Sequence, residues 1–297
     1  MLTPDRNPHL STRRSVLTLL GGAAGAVLLP EAAPAQQQVR REDPSTWRWN
    51  AGEGPKIPGM EHLVLKSPSM DREVGYNIAV PDEYAKSKDR RFPVIYFLHG
   101  AGGNENSDAG GFWATVRKAM LDGKMPPVIC VFPNGALSGY RDRPEQKVMG
   151  ETLIIKELMP AVDARYRTVA TREGRAVAGF SMGGGGSIRL ALKYPELFCA
   201  AGSWAGAMRG LDGQGEFTEL IARNADKIRG KLSLLMIVGA EDQTFASHAP
   251  VIAALKENRI RYSYRVLPGV GHNLGVYYEQ TAGDLMDFLG YAFKGEG

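Results

Sequence analysis

Cysteine and histidine are scarce, at two and five residues of 297. Two cysteines cannot frame a disulfide scaffold, and five scattered histidines offer no zinc-ligand spacing, so the sequence implies no metal and no cofactor. No block of one charge occurs. Thirty-six Lys and Arg stand against 32 Asp and Glu, a formal net charge of +4, without the basic stripe that tracks nucleic-acid phosphates. No apolar run reaches the ~20 residues of a bilayer span, and no internal repeat or mid-chain linker is visible. A composition 43% hydrophobic and 23% charged excludes a disordered chain. Glycine is what abounds: 36 residues, against a usual ~7% of a chain. No G-X-Y period accompanies it, so the excess belongs to turns and close backbone approaches.

The first residues form an address. Arg13-Arg14 precede an apolar stretch from Val16 to Leu29, which ends in Ala33-Pro34-Ala35. A positive flank, a short apolar core and a small-x-small end mark a cleavable export signal. Paired arginines before a core thinned by Gly21, Gly22 and Gly25 resemble the twin-arginine type. Residues 1–35 are therefore expected to be removed, leaving a chain exported to the periplasm or beyond the cell, without stable membrane insertion. Residues 36–60, rich in Gln, Pro and Gly, read as an extended arm, with Trp47 and Trp49 pinning it to the body.

From residue 61 to 297 a single domain is expected. Short β-rich runs (62–66, 73–80, 93–98, 128–132, 175–180, 200–204, 232–238, 262–267) alternate with amphipathic helical runs (113–121, 151–166, 182–193, 219–228, 249–258, 277–293). This alternation predicts an α/β fold with a mostly parallel sheet and helices on both faces.

In such a sheet, chemistry gathers beyond the carboxyl ends of the strands. After the strand at 175–180 stands Gly179-Phe180-Ser181-Met182-Gly183. G-x-S-x-G between a strand and a helix is the pattern of a strained elbow that lifts the hydroxyl above the sheet. Side chains two places either way would collide, hence glycine at 179 and 183. No Gly-Lys-Ser/Thr end follows, so the loop does not read as a phosphate cradle. Ser181 is the expected nucleophile.

A serine hydroxyl needs a base, and only His248 and His272 follow Ser181. His272, in Gly271-His272-Asn273 directly after the last strand, is the expected base. His248 is expected to be a surface or helix-start residue. The orienting carboxylate should follow the strand at 232–238, where Glu241 and Asp242 stand side by side. Asp242 leaves the longer turn for reaching the histidine loop, and Glu241 is the alternative. Two backbone N–H groups must meet the developing oxyanion. Met182 follows the nucleophile, and Ala101 lies in the loop from His99 to Gly103. His99 precedes Ser181 and is expected to order that loop. The segment Ser138–Arg143 with Tyr140, together with Trp204 and Tyr277, supplies candidate walls for a substrate pocket.

The run from Phe92 to Asn106, with its His99-Gly100-Ala101-Gly102-Gly103, the elbow from Ala178 to Gly186, then Gly239-Ala240-Glu241-Asp242 and Gly271-His272-Asn273, together resemble the esterase D family of α/β-hydrolases. That group contains the feruloyl and acetylxylan esterases of carbohydrate esterase family 1, the S-formylglutathione hydrolases and bacterial mycolyltransferases. The resemblance spans about residues 60–293. It implies the α/β-hydrolase fold, a Ser181–Asp242–His272 triad, and oxyanion donors at Ala101 and Met182. It also implies a serine esterase acting through an acyl-enzyme on feruloyl, acetyl or other short acyl esters, polysaccharide-linked ones included. A mycolyltransferase-type acyltransferase with the same triad and a general short-chain esterase are the alternatives. Export sets the chain apart from the S-formylglutathione hydrolases, whose substrate is cytosolic. In this fold two strands would separate Cys130 from Cys199, about 14 Å at ~4.8 Å per spacing, so both are expected to be buried free thiols.

Overall fold

The structure, a computed structural model, describes residues 43–54, 56–210 and 215–295. The expected export signal and residues 36–42 of the arm lie outside them. After a 3-10 turn at Pro44–Thr46 come β1 (Met60–Ser67), β2 (Arg72–Ala79), α1 (Glu83–Lys86), β3 (Val94–Leu98), α2 (Ala109–Leu121) and β4 (Ile129–Pro133). A small hairpin follows, β5 (Asp142–Arg143) and β6 (Val148–Met149), then α3 (Gly150–Thr152), a π-helical stretch Leu153–Leu158 and α4 (Met159–Arg165). The remainder is β7 (Arg175–Phe180), α5 (Met182–Lys193), β8 (Ala200–Trp204), α6 (Gly215–Ile228), β9 (Ser233–Gly239), α7 (His248–Glu257), β10 (Ser263–Leu267) and α8 (Leu274–Phe293).

Eight strands form one sheet in the order β1-β2-β4-β3-β7-β8-β9-β10. The six from β4 to β10 run parallel, and β2 is antiparallel to both neighbours. Period-2 alternation sorts the side chains into two layers. Val94, Tyr96 and Leu98 face a core shared with Ile154, Leu158, Ile188, Phe217 and Val251. Ile95 and Phe97 face the other, shared with Phe112, Trp113, Tyr277 and Leu285. Thus α2 and α8 cover one face, and α4 to α7 the other. The expected mostly parallel sheet with helices on both faces is what is found.

The helix expected over 151–166 is present but widened in its middle. Pro160 lacks the N–H that would close an α-turn onto Lys156, and the π stretch just before it absorbs the interruption. Pairing runs nearly level across the sheet: Leu98 sits opposite Gly179, Phe180 opposite Trp204, Trp204 opposite Ile237 and Gly239 opposite Leu267. The loops after these residues therefore open at one common rim. Cys130 and Cys199 are both free, with β3 and β7 between their strands. Cys130 is buried, but Cys199 is only half-buried, because it precedes β8 rather than lying within it.

Candidate active site

β7 delivers Ser181, and α5 begins at the next residue. Ser181 has φ +55° and ψ −115°, a region that residues with a side chain seldom occupy. Its N–H donates to the Trp204 carbonyl at 2.9 Å, and its carbonyl accepts from Gly185 at 2.9 Å and Ala207 at 3.0 Å. A Cβ at Gly183 would overlap the Leu98 carbonyl, and one at Gly179 would stand 2.5 Å from the same oxygen and 2.6 Å from the Gly183 backbone. Glycine at both places lets α5 start flush against β3. Behind the helix, Arg189 is buried between Glu151 and Glu216, and Lys193 also reaches Glu151 at 2.6 Å.

The acid and base loops are sewn together. Ala240 N–H donates to the Leu267 carbonyl at 2.9 Å and Glu241 N–H to the Val270 carbonyl at 3.0 Å. A Cβ at Gly239 would overlap that Val270 carbonyl. Asn273 caps α8, its side chain accepting from Gly275 N–H at 3.0 Å, which holds His272 at the helix entrance. His272 Nε2 lies 2.8 Å from Ser181 Oγ, and its Nδ1 lies 2.8 Å from Asp242 Oδ2. A carboxylate only accepts, so Nδ1 carries the proton and Nε2 is left to accept from the serine hydroxyl. Ser181 and His272 are half-buried and face solvent, whereas Asp242 is buried.

The side chain of Glu241 is exposed, and the carboxylate hydrogen-bonded to the imidazole is that of Asp242. Burial alone would raise the Asp242 carboxyl, but donors outweigh it and hold it below the usual carboxylate range. Thr244 supplies its hydroxyl at 2.7 Å and its N–H at 2.8 Å to Oδ1. His272 and the Tyr277 hydroxyl, at 2.9 Å, supply Oδ2.

The loop after β3 runs beside the serine: a Cβ at Gly100 would stand 3.4 Å from Ser181 Cβ. Met182 opens α5, so its N–H belongs to the first turn, which has no partner within the helix. Ala101 is exposed in the neighbouring loop. His99 is buried; its Nε2 accepts from Gly135 N–H at 2.9 Å, so its Nδ1–H donates to the Gly100 carbonyl at 2.8 Å. Burial holds its pKa below the ordinary histidine value.

A profile of the Esterase family matches residues 67–291. The chain belongs to the Esterase family. Among relatives, Esterase Rv1288 of Mycobacterium tuberculosis is 38% identical over 153 residues, 50% of this chain and 32% of that protein. The endo-1,4-beta-xylanase/feruloyl esterase of Xylanibacter ruminicola is 35% identical over 152 residues, 47% of this chain and 20% of that protein. The matched stretch is thus about a third or less of either relative's length. A ferulic acid esterase structure from the anaerobic fungus Anaeromyces mucronatus superposes with a TM-score of 0.66 at 20% identity, over 84% of this chain and 96% of that one. It shares the α/β-hydrolase fold. The family resemblance carried by the motifs is thereby borne out.

Three aromatic side chains of this esterase-family chain are not where the wall assignment put them. Tyr140, Trp204 and Tyr277 have no exposed surface. Tyr140 fills the space left by Gly135 and Gly186 and donates its hydroxyl to the His99 carbonyl at 3.1 Å. Trp204 packs between Phe97 and Tyr278. The Tyr277 hydroxyl accepts from Gly239 N–H at 2.7 Å and donates to Asp242. Large rings at the strand ends fill the layers beneath the rim. Ser138 is likewise internal, its hydroxyl donating to the Gly135 carbonyl at 2.6 Å. His248 begins α7, as expected, but is wholly buried and not on the surface. Its Nε2–H donates to the Gly206 carbonyl at 3.0 Å, and burial pushes its pKa down to about 4.

Sequence reasoning assigned no role to Phe180, the residue before the serine, whose ring lies 4.8 Å from that of His272. It also missed Thr244. An Asp-x-Thr spacing is a local turn signal that could have found Thr244; nothing in the sequence marks Phe180.

Proposed function

We propose that the protein is a serine carboxylic-ester hydrolase that works through an acyl-enzyme on feruloyl, acetyl or other short acyl esters of carbohydrates. The observation that carries this reading is the unbroken chain from Ser181 Oγ through His272 to Asp242, 2.8 Å at each link. Ser181 attacks the ester carbonyl carbon while His272 Nε2 takes the hydroxyl proton. The carbonyl electron pair moves onto oxygen, where the N–H groups of Ala101 and Met182 receive the charge. Collapse breaks the ester C–O bond, His272 protonates the departing alcohol, and the acyl group stays on Ser181. Water, giving its proton to the same nitrogen, then attacks the acyl carbon; collapse of this second intermediate breaks the acyl–Oγ bond, His272 returns the proton to Ser181, and the acid leaves. Asp242 remains ionised throughout and stabilises the transient imidazolium. Each oxyanion donor is worth about 10²–10³ in rate.

The relative named as a xylanase/feruloyl esterase and the ferulic acid esterase that shares the fold favour a carbohydrate-linked ester. So does a half-exposed Ser181–His272 pair, which a bulky substrate can reach. Residues 1–35 read as an export signal, consistent with a polymeric substrate outside the cell; no helix among the described residues is long and apolar enough to cross a membrane.

The test is an ester panel of methyl ferulate, acetylated xylan and short and long p-nitrophenyl esters, run beside fluorophosphonate labelling. Preference for methyl ferulate selects the feruloyl branch, and activity only on acetyl or butyryl esters selects the short-chain branch. Acyl transfer to added sugar alcohols in preference to water replaces the hydrolase with an acyltransferase. Failure of Ser181 to label sinks the serine mechanism.

A further inference from the structure

The arm before β1 reaches the catalytic rim through one buried carboxylate. Glu105 lies four residues beyond Ala101 on the same loop and is 1% exposed. Three donors converge on it: Ala51 N–H at 2.7 Å and His62 Nε2 at 3.2 Å on Oε1, and Asn134 Nδ2 at 2.6 Å on Oε2. Its neighbour Asn106 donates to the Gly52 carbonyl at 3.1 Å. Asn77, on β2, donates to the Glu105 carbonyl at 2.8 Å and to Asn106 Oδ1 at 2.7 Å. Side chains at Gly54 and Gly75 would overlap Asn106 and Glu105, so the backbone on two sides is cut back to admit them.

Asn134 and its neighbour Gly135 grip both shoulders of the loop. Gly135 N–H holds His99, while Asn134 holds Glu105. The segment from His99 to Glu105, with Ala101 inside it, is therefore clamped at both ends onto consecutive residues after β4. The arm closes the clamp from outside. Trp49 is buried beside Met70, Val74 and Val148, its carbonyl accepts from Gly75 N–H at 2.8 Å, and the Arg72 guanidinium lies over its ring at 5.7 Å.

We propose that Glu105 is a positioning residue, and that arm residues 48–52, acting through it, hold the Ala101 N–H in register with the ester carbonyl oxygen. This rests on the reading above that Ala101 is an oxyanion donor. An oxyanion donor works only near 2.7–3.1 Å, and a misplacement of about 1 Å costs on the order of 100-fold. A loop gripped at one shoulder only would let Ala101 drift on that scale. The arm is then a working part of the site.

The test uses the full chain carrying Glu105→Gln. Glutamine offers one acceptor oxygen where three donors meet, so at least one donor loses its partner. Active sites are counted by exhaustive fluorophosphonate labelling, which leaves misfolded protein out of the count. Expected is a kcat per labelled site about 10- to 100-fold below the parent, with KM within about twofold. Asn106→Ala, which frees only the Gly52 contact and the Asn77 acceptor, should lower kcat about three- to tenfold, and it decides the matter if Glu105→Gln does not fold. Values for the two variants within twofold of the parent overturn the proposal. A parent chain that does not label, or a Ser181→Ala variant as active as the parent, would instead overturn the underlying serine esterase reading.

Discussion

The two ends of the parallel strands are built for different things. At the carboxyl ends, Ser181 is held in a strained backbone, glycines at 179, 183 and 239 let loops touch, and Asp242 receives four hydrogen bonds. At the starts of β8, β9 and β10 lies a cavity of about 790 Å³ among Arg172, Cys199, Leu232, Tyr262, Phe288 and Tyr291. It is roomy, yet no strained backbone and no linked acid and base are found among these six residues. Room alone does not make a reactive site. Reactivity needs groups whose protonation states are set by neighbours, and backbone held where it would not otherwise rest.

That contrast can be broken by substitution, most severely at the carboxyl ends. Ser181→Ala and His272→Ala should each lower kcat on a p-nitrophenyl ester by about 10⁴- to 10⁶-fold, with circular dichroism unchanged. An effect below tenfold would remove the catalytic distinction between the ends.

The next effect is on stability and belongs to His248. Its folded pKa, about 4, lies below the ordinary ~6.5, so the unfolded chain takes up the proton first as pH falls. Stability from this group is intact above ~6.5 and is lost progressively toward pH 4, on the order of 3 kcal/mol. His248→Gln, which keeps a donor for Gly206, should flatten that part of the profile. Urea midpoints at pH 7 and pH 5 measure it; equal pH sensitivity in parent and variant would show that His248 is not the group.

Tyr277→Phe sharpens the comparison within the active end. It removes one donor from Asp242 and leaves Gly239 N–H without its acceptor. We expect kcat/KM to fall about tenfold, in the range set by losing a hydrogen bond to a charged group. A loss below twofold would reduce Tyr277 to packing. The smallest effect is expected at the far cavity: Arg172→Ala should leave kcat/KM within twofold, and a larger loss would tie the two ends together.

The sheet and the serine elbow were legible because their signals are contiguous. Alternating runs name the strands, and glycine at 179 and 183 answers a clash between residues four apart. Helix starts were less legible. α2 begins at Ala109 rather than at residue 113, and α6 at Gly215 rather than at 219, since small or polar first turns carry no apolar stripe. The short β5–β6 hairpin passed unnoticed for the same reason. The aromatic residues misled because a ring near a strand end can face the rim or the layer below, and local pattern does not distinguish the two.

By itself the sequence determined the strand-elbow-helix at 175–193 and the loops that carry Ser181 and His272, because these depend on steric rules acting within a few residues. Only the tertiary structure decided that Asp242 rather than Glu241 meets the imidazole, that Tyr277 supports that carboxylate, and that the arm reaches Glu105. Those pairings join residues 30, 35 and 54 positions apart. They are set by how the loops lie against one another once the sheet has formed, and only there do donors and acceptors meet.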